Sequence, residues 1–154
     1  MKNHGRRTGK ARTSSSRTGF GRRRHARLVW QLGPLHCGPT CLLMLLRARG
    51  ARVSRREIEA SIPVTSHGST ALALSEFARL HGANLVGARV PVDLLRECPL
   101  PAILHWGTNH YVVLSAATDS HATILDPARG RLRMAWDDLS PRYGGVALCV
   151  ADRG

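Results

Sequence analysis

The chain has 154 residues, room for one domain with a core of its own. Its formal net charge is +13, from 23 Lys and Arg against 10 Asp and Glu, yet ten of the basic residues fall in the first 27 positions. The rest nets only +3, the difference between 13 basic and 10 acidic residues, so the charge excludes a uniformly basic domain and describes a tail.

That tail, residues 1–27, is rich in Gly, Ser, Thr and Arg and nearly free of large apolar residues. It cannot bury enough surface to offset its ordering entropy and reads as disordered. No apolar stretch follows the basic one, as a secretory signal would need. The longest apolar run, Cys41–Leu46, is far too short to cross a bilayer of roughly 30 Å. The reading is a soluble, unexported, cytoplasmic protein. Phe20 is the single aromatic among the arginines, which weakens a nucleic-acid role for the arm.

The folded part, residues 28–154, opens with "LVWQLGPLHCGPTCLLMLL", a Gly/Pro turn running into an apolar helix. Gly38 and Pro39 place the helix start just after Cys37, and Gly50 ends it. Ser54 with Glu57 predicts a capping box for a short second helix. "STALALSEFARLHG" predicts a third, capped by Ser69, with Leu72, Phe77 and Leu80 near one face. "NLVGARV" reads as a strand and "PVDLLREC" as a short helix from Pro91. "PAILHW", "HYVVLSA", "ATILD", "RLRMAW" and "GVALCVA" then follow as strands at hairpin spacing. Helices first and strands afterwards give an α+β class, a helical layer on an antiparallel sheet.

Cys37 by itself fits a core thiol, a metal ligand, half of a disulfide or a nucleophile at a helix N-terminus. Four cysteines in a chain without a signal argue against a disulfide framework. Cys41 and Cys149 read as core, and Cys98 as a turn residue. His36, His105 and His110 are potential metal ligands, but no CxxC pair or HExxH is present, so no metal and no cofactor are expected. His110 opens one apolar strand and Asp126 closes the next. A short turn between two such strands would bring them together, the carboxylate orienting the imidazole toward Cys37. The helix dipole and a neighbouring His⁺ both favour thiolate. The Gln31 amide, six residues before Cys37, could join the Cys37 N–H in donating to an oxyanion.

Gln31, "HCGPTCLLML", "PAILHWGTNHYVVL" and "ILDPARGRLRMAWDDLSPRYGGVAL" closely resemble the C39 peptidases, papain-like domains usually fused to bacteriocin exporters. The resemblance covers residues 28–151 and implies a papain-like fold. It implies Cys37 as nucleophile, His110 as general base and acid, Asp126 as the orienter of His110, and Gln31 as oxyanion donor. The implied reaction is removal of a precursor's leader after a double-glycine type motif, and Trp106, leading into His110, is the expected wall of a narrow channel. Two departures stand out. His36 occupies the position where the family has Asp, and when protonated it is expected to lower the Cys37 pKa. The chain also ends at Gly154 without exporter domains, so it is expected to act alone or with a separately encoded ABC exporter. The alternative is an inactive peptide-binding module of the same fold serving an exporter.

Overall fold

A computed structural model describes residues 25–151. The expected disordered tail lies outside them except for its last three residues, of which Ala26 packs on the core. Three helices come first: α1 (Cys37–Ala48), α2 (Arg55–Ser61) and α3 (Ala71–Leu80). Strand β1 (Leu85–Arg89) and a 3-10 helix (Val92–Glu97) follow. Strands β2 (Ala102–Trp106), β3 (His110–Ala117), β4 (His121–Asp126) and β5 (Gly130–Ala135), a short α4 (Trp136–Leu139) and β6 (Tyr143–Val150) complete the order. The fold is α+β, with helices packed on a six-stranded antiparallel sheet of order β1-β6-β2-β3-β4-β5.

Helix α1 is the central pillar. All of its residues except Arg47 are buried, as an almost wholly apolar helix demands. Its N-terminus has no side-chain cap; instead both the N–H and the Oγ1 of Thr40 donate to the His36 carbonyl, at 3.1 and 2.6 Å. The helix begins at Cys37 itself, one residue earlier than Gly38 and Pro39 suggest. It ends as Gly50 requires. With φ at +88°, Gly50 donates to Arg47 O at 3.0 Å and Ala51 to Leu46 O at 3.0 Å, which closes the last turn.

The sheet has a core on each face. One is built by α1 with α2, α3, Ile103, Val113, Leu125 and Leu148. The other gathers Leu104, Val112, Leu114 and Ile124 under the 3-10 helix and α4. This second layer explains why the central strands read as continuous apolar runs without alternation. Among the described residues, no helix is long and apolar enough to cross a membrane.

Four local expectations are corrected. Thr70, not Ser69, caps α3, its side chain accepting from Ala73 N at 3.1 Å. The buried face of α3 is Leu74, Phe77 and Ala78, whereas Leu72 and Leu80 are exposed. The segment after Pro91 forms a 3-10 helix. Trp136 begins α4 and does not extend β5. In α2 the expected capping box is half made: Ser54 accepts from Glu57 N at 3.1 Å, but the Glu57 carboxylate turns to His81 at 3.3 Å.

The α3 correction is testable. Thr70→Ala should lower stability by about 1 kcal/mol in urea unfolding, because one first-turn N–H loses its acceptor. Ser69→Ala should cost nothing comparable: its Oγ is buried without a partner among the described residues.

Candidate active site

Cys37 is the first residue of α1 and is 4% exposed, so its sulfur sits at the positive end of a twelve-residue helix. His110 opens β3 after the turn that follows Trp106, and Asp126 closes β4. Val113 pairs with Leu125, which puts Asp126 one position on and lets it reach diagonally to His110. The contact is made: His110 Nε2 lies 2.7 Å from Asp126 Oδ1. The imidazole is also hydrogen-bonded to the Cys37 thiol. With Nε2 engaged by the carboxylate, Nδ1 is the nitrogen left for sulfur. Cys37, His110 and Asp126 thus form one hydrogen-bonded chain.

Its electrostatics follow from these contacts. Burial alone would raise the Cys37 pKa. The hydrogen bond and charge of His110, with the backbone N–H groups of Tyr111 and Gly38, outweigh it and bring the thiol below its ordinary value. The hydrogen bonds to Asp126 and Cys37 raise His110 to about 9, against the opposing effect of burial. Burial would likewise raise Asp126. The His110 hydrogen bond, the Ala128 N–H and the imidazolium charge hold it below the usual carboxylate range. Cys41, one turn deeper, is driven up by burial and by the proximity of Cys37. The arrangement holds a polarised thiol at Cys37 and a neutral one at Cys41.

The Asp126 turn also anchors the N-terminal segment. Asp126 is 2% exposed, and its Oδ1 accepts the Ala128 N–H at 2.9 Å as well as His110. Pro127 O accepts from Gln31 N at 2.9 Å. The Trp30 ring lies over Gly130, 3.1 Å from where a Cβ would sit, and Arg55 Nη2 donates to Trp30 O at 2.6 Å. Gln31 is therefore fixed to the turn that carries Asp126. Its Nε2 donates to Gly33 O at 2.9 Å, leaving one N–H over.

Two other residues singled out in the sequence, Trp106 and His36, lie near the chain's turns around the site. Trp106 stands directly opposite His110 in the β2–β3 register, on the same face, but its ring packs into the second core and is 9% exposed. The His36 ring folds over Gly33, its Nδ1 2.8 Å from where a Gly33 Cβ would sit. The groups that lower the Cys37 thiol are His110, Tyr111 and Gly38.

The residues flanking the α1 N-terminus went unmarked in the sequence. A Cβ on Gly38 would lie 3.4 Å from Ser69 Cβ, 3.5 Å from Leu74 Cδ1 and 3.5 Å from Tyr111 Cδ2. Only the position of Tyr111, next to His110 and so facing the α1 side, could have signalled this. Among the described residues no group of three His, Cys, Asp or Glu could hold a metal ion.

Comparison with known proteins places this geometry. Residues 26–154 match the Peptidase C39 family. An uncharacterised protein of Methanothermobacter marburgensis is 30% identical over 80% of this chain and 87% of its own length. The probable microcin-H47 secretion/processing ATP-binding protein MchF of Escherichia coli is 27% identical over 83% of this chain, which spans only 18% of that relative. Among solved structures, a double glycine motif protease from an AMS/PCAT transporter, in complex with the leader peptide, superposes with a TM-score of 0.78. It is 29% identical and covers 84% of this chain and 94% of its own. The peptidase domain of Streptococcus ComA shares the fold at a TM-score of 0.74 and 24% identity, over 84% of this chain and 100% of that domain. On the match across all but the first 25 residues, the chain belongs to the peptidase C39 family.

Proposed function

We propose that this chain is a cysteine endopeptidase that removes the leader of a small precursor peptide by cutting after a double-glycine type motif. The observation that carries the reading is the hydrogen-bonded chain from Cys37 through His110 to Asp126, with the 2.7 Å carboxylate–imidazole contact at its end. The Cys37 thiolate attacks the carbonyl carbon of the leader's last glycine. Charge developing on oxygen is met by the free N–H of Gln31 and by the Cys37 backbone N–H, a first-turn donor with no partner inside the helix. His110 gives its proton to the departing amine, leaving a thioester on Cys37. Water then attacks the thioester as His110 takes its proton, and Asp126 holds the imidazole through both steps.

Ser69, Leu74 and Tyr111 line the backbone at Gly38 beside the nucleophile, which suits a strand of residues without side chains. Partnership with a separately encoded ABC exporter, and action on the cytoplasmic side where precursors are made, belong to the same reading. They are supported by the secretion/processing role in the name of the E. coli relative.

Three variants test the reading on a synthetic Gly-Gly leader substrate. Cys37→Ala should abolish cleavage and leave the thermal midpoint nearly unchanged; undiminished cleavage would remove Cys37 as nucleophile. Cys41→Ala should retain cleavage in the folded fraction but lower stability, since a fully buried side chain is lost. Asp126→Asn should lower kcat by roughly two to four orders of magnitude with little change in KM, because an amide does not stabilise the imidazolium.

The raised His110 pKa also predicts a pH dependence of stability. A group held up from 6.5 to about 9 stabilises fully below 6.5 and loses that contribution as pH rises through about 9. The depressed Cys37 thiol works oppositely, adding stability above its unfolded value of 9.0 and losing it as pH falls through its folded one. The two partly cancel in the wild type. In Cys37→Ala, where Asp126 still holds His110 up, the urea midpoint should fall as pH rises above 6.5. Adding His110→Ala should flatten that decline; an equal decline in both variants would contradict the His110–Asp126 coupling.

A further inference from the structure

Cys98 and Cys149, separated by 51 positions in the chain, meet on the sheet face remote from α1. Cys98 is the C-cap of the 3-10 helix, and Cys149 lies on β6, against which that helix packs. Both are half-buried, both pack against the second core, and the two thiols are close enough to act on each other, while Cys98 Sγ donates to Leu94 O at 3.9 Å. Tyr143 Oη, hydrogen-bonded to Val90 O at 2.8 Å, lies near the pair. Nothing in the peptidase chemistry uses these thiols. Cys149 sits beyond Leu148, the partner of Ile103, whereas the candidate site lies at the opposite end of β2, where Trp106 pairs with His110.

We propose that Cys98 and Cys149 form a redox site, a dithiol that a low-molecular-weight disulfide such as glutathione disulfide converts into an intramolecular disulfide. Unlike Cys41, which is 0% exposed, both residues are partly exposed. Closing the pair requires the sulfurs to approach to about 2 Å, a movement that the end of a short surface helix can make. Cys149 is pushed up to about 12 by burial and by Cys98, so the first step falls to Cys98.

The Cys98 thiolate attacks one sulfur of glutathione disulfide, forming a mixed disulfide and expelling a glutathione thiolate. Cys149 loses its proton to solvent and attacks the Cys98 sulfur. The mixed bond breaks and the second glutathione leaves. Two electrons pass from the protein dithiol to the oxidant, and the two protein protons end on two glutathione thiols. The product ties the segment entering β2 to β6 and closes a loop long enough to restrict the unfolded chain substantially. The oxidation state of the surrounding thiol pool then sets the stability of the fold without touching Cys37.

The test uses the full-length chain carrying Cys37→Ala, equilibrated with glutathione disulfide, quenched with N-ethylmaleimide and digested with trypsin. The expected product is the peptide 97–129 joined to 143–153, two hydrogens lighter than the sum of the free peptides. The thermal midpoint should rise by roughly 10 °C, revert with dithiothreitol, and show no rise in either Cys98→Ser or Cys149→Ser. Maleimide on both cysteines, a glutathione adduct persisting on Cys98, or a cross-link between two chains would each overturn the proposal. Because the assay reads mass and melting and not cleavage, its outcome is independent of the peptidase reading.

Discussion

A carboxylate that is 2% exposed must be given partners, and the answer at Asp126 organises much of this molecule. Oδ1 takes the His110 imidazole and the Ala128 N–H together, so one side chain fixes both the imidazole and the turn that follows β4. That turn presents Pro127 O to Gln31 and Gly130 to the Trp30 ring. A shift of Asp126 would therefore be felt by the imidazole and by the N-terminal segment at once. Removing one partner from a buried charge pair costs about 3–5 kcal/mol in general, which makes the position intolerant of apolar replacement.

The second constraint is the burial of α1. An N-terminus packed this deeply leaves first-turn donors with few places to go, and here they face the sulfur and the site it occupies. Glycine at position 38 leaves Tyr111, Leu74 and Ser69 gathered around that terminus, each at contact distance from where a Cβ would sit. The same economy of space applies at Gly33, whose missing Cβ makes room for the His36 ring. The side chain at position 36 is thus packed into the turn that precedes α1.

Much of the site was legible in the sequence because its parts are local signals. Cys37 at the mouth of an apolar run, His110 opening a strand and Asp126 closing the next are readable from periodicity and turn residues. So is the α+β class. What escaped were features decided by neighbours distant in sequence. Ser69 and Thr70 are equally good caps on paper; only the packing of Ser69 against Gly38 assigns the cap to Thr70. Leu72 and Leu80 have the composition of a buried face, yet Leu74 and Phe77 take it because α3 meets α1 and β1 on that side. Trp106 precedes the His110 hairpin in the chain, and proximity in sequence suggested proximity to substrate, whereas its ring packs with the second core.

The second core is the feature the helices-then-strands reading least anticipated, and it separates two kinds of cysteine. Cys37 and Cys41 belong to α1, where the dipole, His110 and burial polarise one thiol and silence the other. Cys98 and Cys149 face the opposite side of the sheet, beyond the helix dipole and the imidazole. The central strands, covered on both faces, lie between these pairs: the strands would have to part before Cys37 could meet Cys98. Sequence alone separates Cys37 from the other three thiols but does not bring Cys98 and Cys149 together; the fold does, beside the second core. A cysteine polarised by an imidazole and a separate pair of thiols fit in so small a domain because the sheet lies between them.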